Sequence, residues 1–173
     1  EPRIDFSNDS KGALLLEPTR SNLILDSENI SGAGWGRSGW TLTNDFISPD
    51  GTNNAYSILR TTGIGVSTTL SLLANTKYTF SVYVKNVNAT NVQLRVQNVA
   101  GNTSGTEDNC VVFSVTDQTN TDDFVRITHT FNTGDAGSYG MFLGYYSEGE
   151  YIVWGAQLEQ GSYATSYIPT SGS

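Results

Sequence analysis

The feature that most constrains the fold of this chain is a strict alternation of apolar and polar side chains at residues 77–85. The two alternating sets are Tyr78, Phe80, Val82 and Val84, and Thr79, Ser81, Tyr83 and Lys85. A period of two residues places each set on its own face of a β-strand. We therefore predict a strand with one face in the core and one polar face that carries a single aromatic ring.

The same pattern returns after a predicted turn at residues 86–91. The alternating sets there are Val92, Leu94 and Val96, and Gln93, Arg95 and Gln97. Further strands are predicted at residues 13–17, 22–25, 40–43, 55–59, 65–70, 110–115, 124–131, 141–146 and 151–159. Short strands joined by turns rich in Asn, Gly, Ser and Thr are typical of antiparallel sheets. The predicted fold is all-β, an antiparallel β-sandwich or jelly roll, in a single domain spanning residues 1–173.

Charge and cysteine content argue against several classes of function. The formal net charge is −8, so phosphate backbones and anionic membrane surfaces are repelled. Neither nucleic acid nor a membrane is an expected partner, and no stretch approaches the ~18 apolar residues of a membrane span. Cys110 is the only cysteine, which excludes an internal disulfide and a thiolate metal cluster.

Two kinds of motif could in principle carry catalysis, but we interpret both as loops or turns. Residues 34–39 fit the pattern GxGxxG, but a strand-like segment follows where nucleotide binding needs a helix. Acidic clusters occur at Glu107-Asp108, Asp122-Asp123 and Glu148/Glu150. All three fall in predicted turns, where carboxylates are ordinarily solvated. We expect no enzymatic activity.

Two conspicuous side chains are predicted to lie in or beside the core. His129 is in phase with Ile127 and Phe131, which indicates a core or core-edge position. Trp154 is in phase with Ile152, Ala156 and Leu158, which indicates the core.

Aromatic, amide and guanidinium groups on polar strand faces are the groups that sugar recognition uses, because sugar rings stack on aromatic planes and sugar hydroxyls pair with polar side chains. The candidate ligand-binding residues are Tyr83, Gln93, Arg95, Gln97, Trp35, Trp40 and Tyr146. Tyr83 and the three residues of segment 92–97 could form one surface if their strands are neighbours. Two alternatives stay open. The polar residues could be only the solvated side of a sandwich, and either of the two tryptophans, which border the glycine-rich loop, could cover the end of the sandwich.

Several segments resemble a known group of domains. Residues 22–25 followed by Trp35, together with residues 55–58, 73–85 and 128–131, resemble the carbohydrate-binding modules of families four, nine and twenty-two. Those families are jelly-roll, galactose-binding-like β-sandwiches that bind glycans without cleaving them. The resemblance implies a non-catalytic module whose partner is a polysaccharide or cell-surface glycan.

The two ends of the chain resemble a narrower group. Residues 2–5 with 14–23, and residues 154–170, resemble a recurrent domain of bacteriophage tail, fibre and other virion proteins, which also occurs in large secreted bacterial proteins. This resemblance implies attachment to a larger parent protein and an extracellular or virion location. The alternative that it leaves is a structural or assembly domain of a phage fibre without sugar binding, which could form a homo-oligomer.

The carbohydrate-binding families often bury a structural calcium ion with an acidic residue of their last strand. Here that stretch reads Gly-Ala-Gln-Leu-Glu at residues 155–159, without the usual aspartate. Gln157 and Glu159 could still donate oxygens, but calcium takes about six to eight of them. We expect no required cofactor and keep structural calcium as an alternative.

Overall fold

The computed structural model describes residues 3–5, 13–15, 17–98, 110–114, 123–144 and 148–172. Its strands are β1 (Arg3–Asp5), β2 (Ala13–Leu15), β3 (Gly36–Phe46), β4 (Ala55–Leu72), β5 (Lys77–Asn86), β6 (Asn91–Asn98), β7 (Cys110–Ser114), β8 (Val125–Asn132), β9 (Gly137–Leu143) and β10 (Glu150–Gln160). All strand pairs are antiparallel, which confirms the predicted fold class. No helix in the described ranges could cross a membrane.

One hydrogen-bonded ladder supplies both layers of the sandwich. Its strand order is β7-β6-β9-β4-β10-β5-β8, and β3 pairs with β4. β4 is 18 residues long; its first part pairs with β10 and its last part with β9. We call the first part of β4 with β10, β5 and β8 layer A, and the last part of β4 with β9, β6 and β7 layer B. The separate strands predicted at 55–59 and 65–70 are therefore one strand that passes between layers.

The main core lies between the two layers. Its members from β5 and β6 are Tyr78, Phe80, Val82, Val84, Val92, Leu94 and Val96, all buried. From β9 and β10 they include Tyr139, Met141, Leu143, Tyr151, Val153 and Leu158. The alternation at residues 77–85 and 92–97 thus predicted the inward-facing sets correctly, because each strand has one face against the opposite layer.

β5 and β6 are not neighbours, although they are consecutive in the chain. β5 pairs with β8 and β10, whereas β6 pairs with β7 and β9. The turn between them is tied to the start of β10, where the amides of Val87 and Asn88 both donate to the carbonyl of Glu150 at 3.1 Å. The chain therefore crosses to layer B instead of folding back beside β5.

A β-bulge in β10 divides its side chains between two cores. The pairing with β5 shifts register between Trp154 and Gln157, and Gly155 has a φ of 66°, which glycine adopts without the penalty of a Cβ. Ala156 and Leu158 consequently face the main core. Ile152 and Trp154 instead belong to a second buried cluster on the other side of layer A. Trp154 is buried as predicted, but the assumed common phase was wrong, because an extra residue intervenes.

Two segments that flank β10, residues 17–30 and 161–172, form what we call the terminal clip. Segment 17–30 runs beside the second half of β10, where the amide of Leu23 donates to the carbonyl of Leu158 at 2.8 Å, and it places Ile24 and Ile30 in the main core. Segment 161–172 packs over the outer side of layer A. The amide of Asn22 donates to the carbonyls of Ala156 and Ile168 at 3.1 and 3.0 Å, and its oxygen accepts from the amide of Leu158 at 3.1 Å. Near the ends of the two segments, the amide of Gly172 donates to the carbonyl of Leu25 at 2.7 Å. The strand predicted at 22–25 is wrong, because side-chain bonds from Asn22 replace most of a backbone ladder.

Candidate functional site

The clip closes much of the outer face of layer A. The outward residues of β5 and β10 that are buried beneath it are Thr79, Ser81, Gln157 and Glu159, each 0 % exposed. The hydroxyl of Thr79 donates to the carbonyl of Gly161 at 3.0 Å, and the guanidinium of Arg126 donates to the carbonyl of Thr165. An extended polysaccharide cannot lie along this part of the sheet.

Tyr83 lies beside the clip in a half-buried aromatic group. Its ring centroid is 5.5 Å from that of Trp154 and 6.3 Å from that of Tyr167, and the Arg126 guanidinium lies over the ring, 5.4 Å from the centroid. Because β5 and β6 belong to different layers, Tyr83 does not share a surface with Gln93, Arg95 and Gln97. The single surface considered from the sequence is therefore not formed.

The three polar residues of β6 do stay together, on the outer side of layer B. Gln93, Arg95 and Gln97 alternate with buried core residues and are each half-buried. β6 pairs with β9 so that Arg95 lies opposite Phe142 and Gln97 opposite Gly140. Directly opposed residues of an antiparallel pair project from the same face, so the five residues form one continuous surface.

Phe142 forms the floor of this surface, and sequence reasoning missed it. An added Cβ on Gly140 would stand 2.7 Å from Cε2 of Phe142, so the ring lies along the sheet over the glycine. Phe142 is 6 % exposed, which leaves little of its face for stacking. Its alternation with the core residues Met141 and Leu143 is the signal that could have identified it.

Hydroxyl groups border the opposite side of the floor. β4 pairs with β9 so that Ser67 lies opposite Phe142 and Thr69 opposite Gly140. The surface therefore reads across the sheet as Arg95, Phe142, Ser67 in one row and Gln97, Gly140, Thr69 in the next. We call these six residues with Gln93 the layer B face. It presents amide, guanidinium and hydroxyl groups around an apolar floor, which suits hydrogen bonding to a polyhydroxylated ligand.

The two tryptophans proposed as sugar platforms are buried. Trp35 is 4 % and Trp40 is 9 % exposed. The indole of Trp35 donates to the carbonyl of Asp26 at 2.9 Å, and the ring of Trp40 packs edge-on against Tyr151 with centroids 6.3 Å apart. Both rings belong to the main core, so neither offers a face to a sugar. Tyr146 lies outside the described residues.

Gln157 and Glu159 hold the clip. The carboxylate of Glu159 accepts bonds from the amide and the hydroxyl of Thr165 at 2.5 and 2.6 Å and from the Gln157 amide at 2.9 Å. The oxygen of Gln157 accepts from the amide of Ile168 at 2.8 Å. Among the described residues no group of three or more His, Cys, Asp or Glu could hold a metal ion. With their oxygens engaged in this way, the two side chains do not fit a calcium site.

The other residues that the sequence analysis weighed for catalysis or metal binding have surroundings that explain them without such a role. His129 is 5 % exposed and its ring lies 5.7 Å from that of Phe131, as predicted for a core-edge site. Glu150 accepts a hydrogen bond from the hydroxyl of Ser57. In the stretch 34–39, residues 36–39 are already the start of β3 and not of a helix. Residues 107–108 and 122 lie outside the described ranges.

Comparison with known proteins identifies the fold. No family model and no curated protein matches the chain. Among solved structures it is similar to the CBM22-1 xylan-binding domain of Paenibacillus barcinonensis Xyn10C, with 15 % identity and a TM-score of 0.54 over 84 % of this chain and 95 % of that one. It is also similar to the CBM22-1 and GH10 modules of Clostridium thermocellum xylanase Xyn10B, complexed with xylohexaose, with 12 % identity and a TM-score of 0.56 over 86 % of this chain and 29 % of that one.

A phage protein shows the same architecture. The enzymatically active domain of tailspike protein 4 from bacteriophage CBA120 is 15 % identical, with a TM-score of 0.52 over 81 % of this chain. This chain spans only 21 % of that tailspike chain. Together these likenesses establish that the chain has the jelly-roll fold of carbohydrate-binding modules.

Proposed function

We propose that this domain binds carbohydrate without cleaving it, and that it anchors a larger extracellular or virion protein to a polysaccharide or cell-surface glycan. The observation that carries the proposal is the layer B face, where Arg95 and Gln97 lie in register with Phe142 and Gly140. This face keeps its polar residues partly exposed, whereas the outer face of layer A is closed by the terminal clip.

The proposed mechanism is equilibrium binding on a preformed surface. Since Phe142 is almost fully covered, the described residues supply affinity through hydrogen bonds from Gln93, Arg95, Gln97 and Thr69 more than through ring stacking. Such a surface pays little ordering cost because its side chains stand on paired strands. A single domain should bind weakly, and several copies on one particle would strengthen attachment through avidity.

The fold supports xylan-like glycans as the first ligands to test. One similar structure is described as xylan-binding and another is complexed with xylohexaose. Both share only 12–15 % identity with this chain, so the sugar itself is part of the proposal.

The test is affinity electrophoresis in gels containing xylan, β-glucan or galactan. We expect retardation by at least one polysaccharide and a loss of about tenfold in affinity in an Arg95→Gln/Gln97→Ala variant, because two hydrogen-bonding groups are removed. Arg37→Gln is the control, since Arg37 is exposed on β3 and lies opposite Val66, outside the layer B face. Retardation that survives in the double variant would remove the layer B face as the site.

The proposal includes binding that needs no metal ion. Gels run with calcium and with a chelator should give equal retardation, because Glu159 is already bonded to Thr165 and Gln157. Retardation that disappears with the chelator would show that calcium supports the site.

A structural or assembly domain is the second candidate. The observation that favours it is that the same fold makes up 21 % of a tailspike chain, a setting in which a β-sandwich can serve as a spacer or a subunit contact. In that case the layer B face would meet protein. A concentration-dependent oligomer disrupted by Arg95→Gln/Gln97→Ala, with no retardation by any glycan, would establish this function.

A further inference from the structure

A cleft at one end of the sandwich lies apart from the layer B face. It has a volume of about 730 Å³ and forms where the clip segment 17–30 meets the end of β4, the start of β5 and the end of β10. Its lining residues are Thr19, Arg20, Ser21, Leu23, Ser71, Leu73, Lys77, Tyr78, Gln160 and Gly161. This volume falls within the ~300–1,000 Å³ typical of small-ligand sites.

The charge of the cleft is opposite to that of the molecule. The chain has 17 acidic residues against 9 lysines and arginines, yet the cleft holds Arg20 and Lys77, and no carboxylate is among its described lining residues. Within the described part of the chain, Lys77 is exposed and its ammonium group makes no ion pair. The cleft is thus a local site for negative charge on an acidic protein.

Arg20 is held in place by its surroundings. Its guanidinium donates to the carbonyl of Gln160 and lies over the ring of Tyr163, 5.0 Å from the centroid. Gly161 has a φ of 149°, and a Cβ there would stand 1.3 Å from the Arg20 nitrogen, so the glycine is what lets the guanidinium approach the backbone. The amide of Gly161 donates to the carbonyl of Lys77 at 2.8 Å. Arg20 and Lys77 are therefore both bonded to the backbone at residues 160–161.

The rest of the lining suits a sugar. Thr19, Ser21 and Ser71 supply hydroxyls and Gln160 supplies an amide, all able to pair with ligand hydroxyls. Leu73 is 63 % exposed and offers an apolar surface to a ring. Hydroxyls, an apolar patch and two cations together match a saccharide that carries an acid group better than a neutral one.

We propose that this cleft is a second binding site, which takes a negatively charged saccharide, with Lys77 and Arg20 facing the acid group. The choice of a saccharide rests in part on the proposed function. The acid group could be a uronate carboxylate or a sulfate, since both would satisfy the same cations.

The test is an amide-shift titration by NMR with tetragalacturonate, with its methyl ester, and with a sulfated galactan tetrasaccharide. We expect the amides of Leu73, Lys77 and Gly161 to shift with one or both acidic sugars and not with the ester, whose rings are the same but uncharged. Lys77→Gln should weaken binding about three- to tenfold, the range of one partly exposed charge contact. Lys85→Gln, at the other end of the same strand, is the matched control and should leave affinity unchanged.

Three results would overturn the proposal: no shift of cleft amides with either acidic sugar, equal shifts with the methyl ester, or equal binding of a poly-glutamate peptide. The same spectra separate this inference from the proposed function, because a neutral oligosaccharide at the layer B face shifts the amides of Gln93 to Gln97 instead. If the cleft amides shift with an acidic sugar but the layer B amides shift with no sugar, the layer B face is rejected as a binding site and the cleft is retained.

Discussion

At the scale of single residues, glycine positions show where the backbone and a neighbouring side chain compete for space. Gly144 has a φ of 69°, and a Cβ there would stand 1.4 Å from the hydroxyl of Tyr151 and 3.2 Å from the ring of Trp40. Gly144→Ala should therefore lower the free energy of unfolding by about 2–4 kcal/mol, through backbone strain and displacement of a core ring. Urea denaturation measures this loss.

The control is Gly134→Ala, where an added Cβ meets nothing within 4 Å. Its effect should stay within about 0.5 kcal/mol, as for most surface substitutions. A Gly144→Ala protein as stable as this control would show that the contact between residues 144 and 151 does not constrain the core.

Tyr167 should give the protein a specific response to alkaline pH. Burial raises the pKa of its phenol well above the ordinary value of 10.0; the hydrogen bond with Ser27 opposes this shift and the charge of Glu28 adds to it. Because the unfolded chain ionises first, the stabilising contribution is complete below about pH 10 and is lost as pH rises toward the folded pKa. Tyr167→Phe should make the loss of stability above pH 10 shallower in urea titrations. An equally steep alkaline loss in the variant would show that this phenol does not govern the response.

At the scale of elements, the terminal clip is what converts β10 into a strand buried on both faces. Asn22 links the clip to β10 at the bulge and just after it, with bonds to Ala156 and Leu158. Asn22→Ala leaves those buried backbone groups without partners and should cost about 2–4 kcal/mol. Hydrogen exchange at the Leu158 amide should accelerate in the variant.

Asn44→Ala is the matched control for this change, because Asn44 is exposed on β3 and should tolerate truncation. Unchanged protection at Leu158 in the Asn22→Ala variant would mean that the clip is not fastened by this side chain. The clip brings together two segments that the sequence analysis singled out, because Asn22 bonds to Ala156, Leu158 and Ile168.

At the scale of the whole molecule, the two layers should unfold together. β4 belongs to both layers and the main core is lined from both, so neither layer can separate without breaking a continuous ladder. We expect a single calorimetric transition whose van't Hoff and calorimetric enthalpies agree. Two resolved transitions would show that the layers are independent.

Much of this architecture could be predicted from local pattern. The alternation at residues 77–85 and 92–97 identified the inward and outward sets, because a strand with one buried face must alternate. The buried positions of His129 and Trp154 followed from the same kind of argument. The face on which Trp154 lies could not be predicted in this way. The bulge at Gly155 adds a residue to the strand, so the alternation before it does not continue after it.

What the sequence by itself determined is therefore the all-β class, the core faces of its clearest strands and the polar character of Gln93, Arg95 and Gln97. Only the tertiary structure decided which strands are neighbours, that Tyr83 is separated from these three residues, that Trp35 and Trp40 are buried, and that Gln157 and Glu159 bind the clip. The physical reason is that alternation depends on a residue's own strand, whereas pairing and coverage depend on contacts between segments as far apart as Asn22 and Leu158.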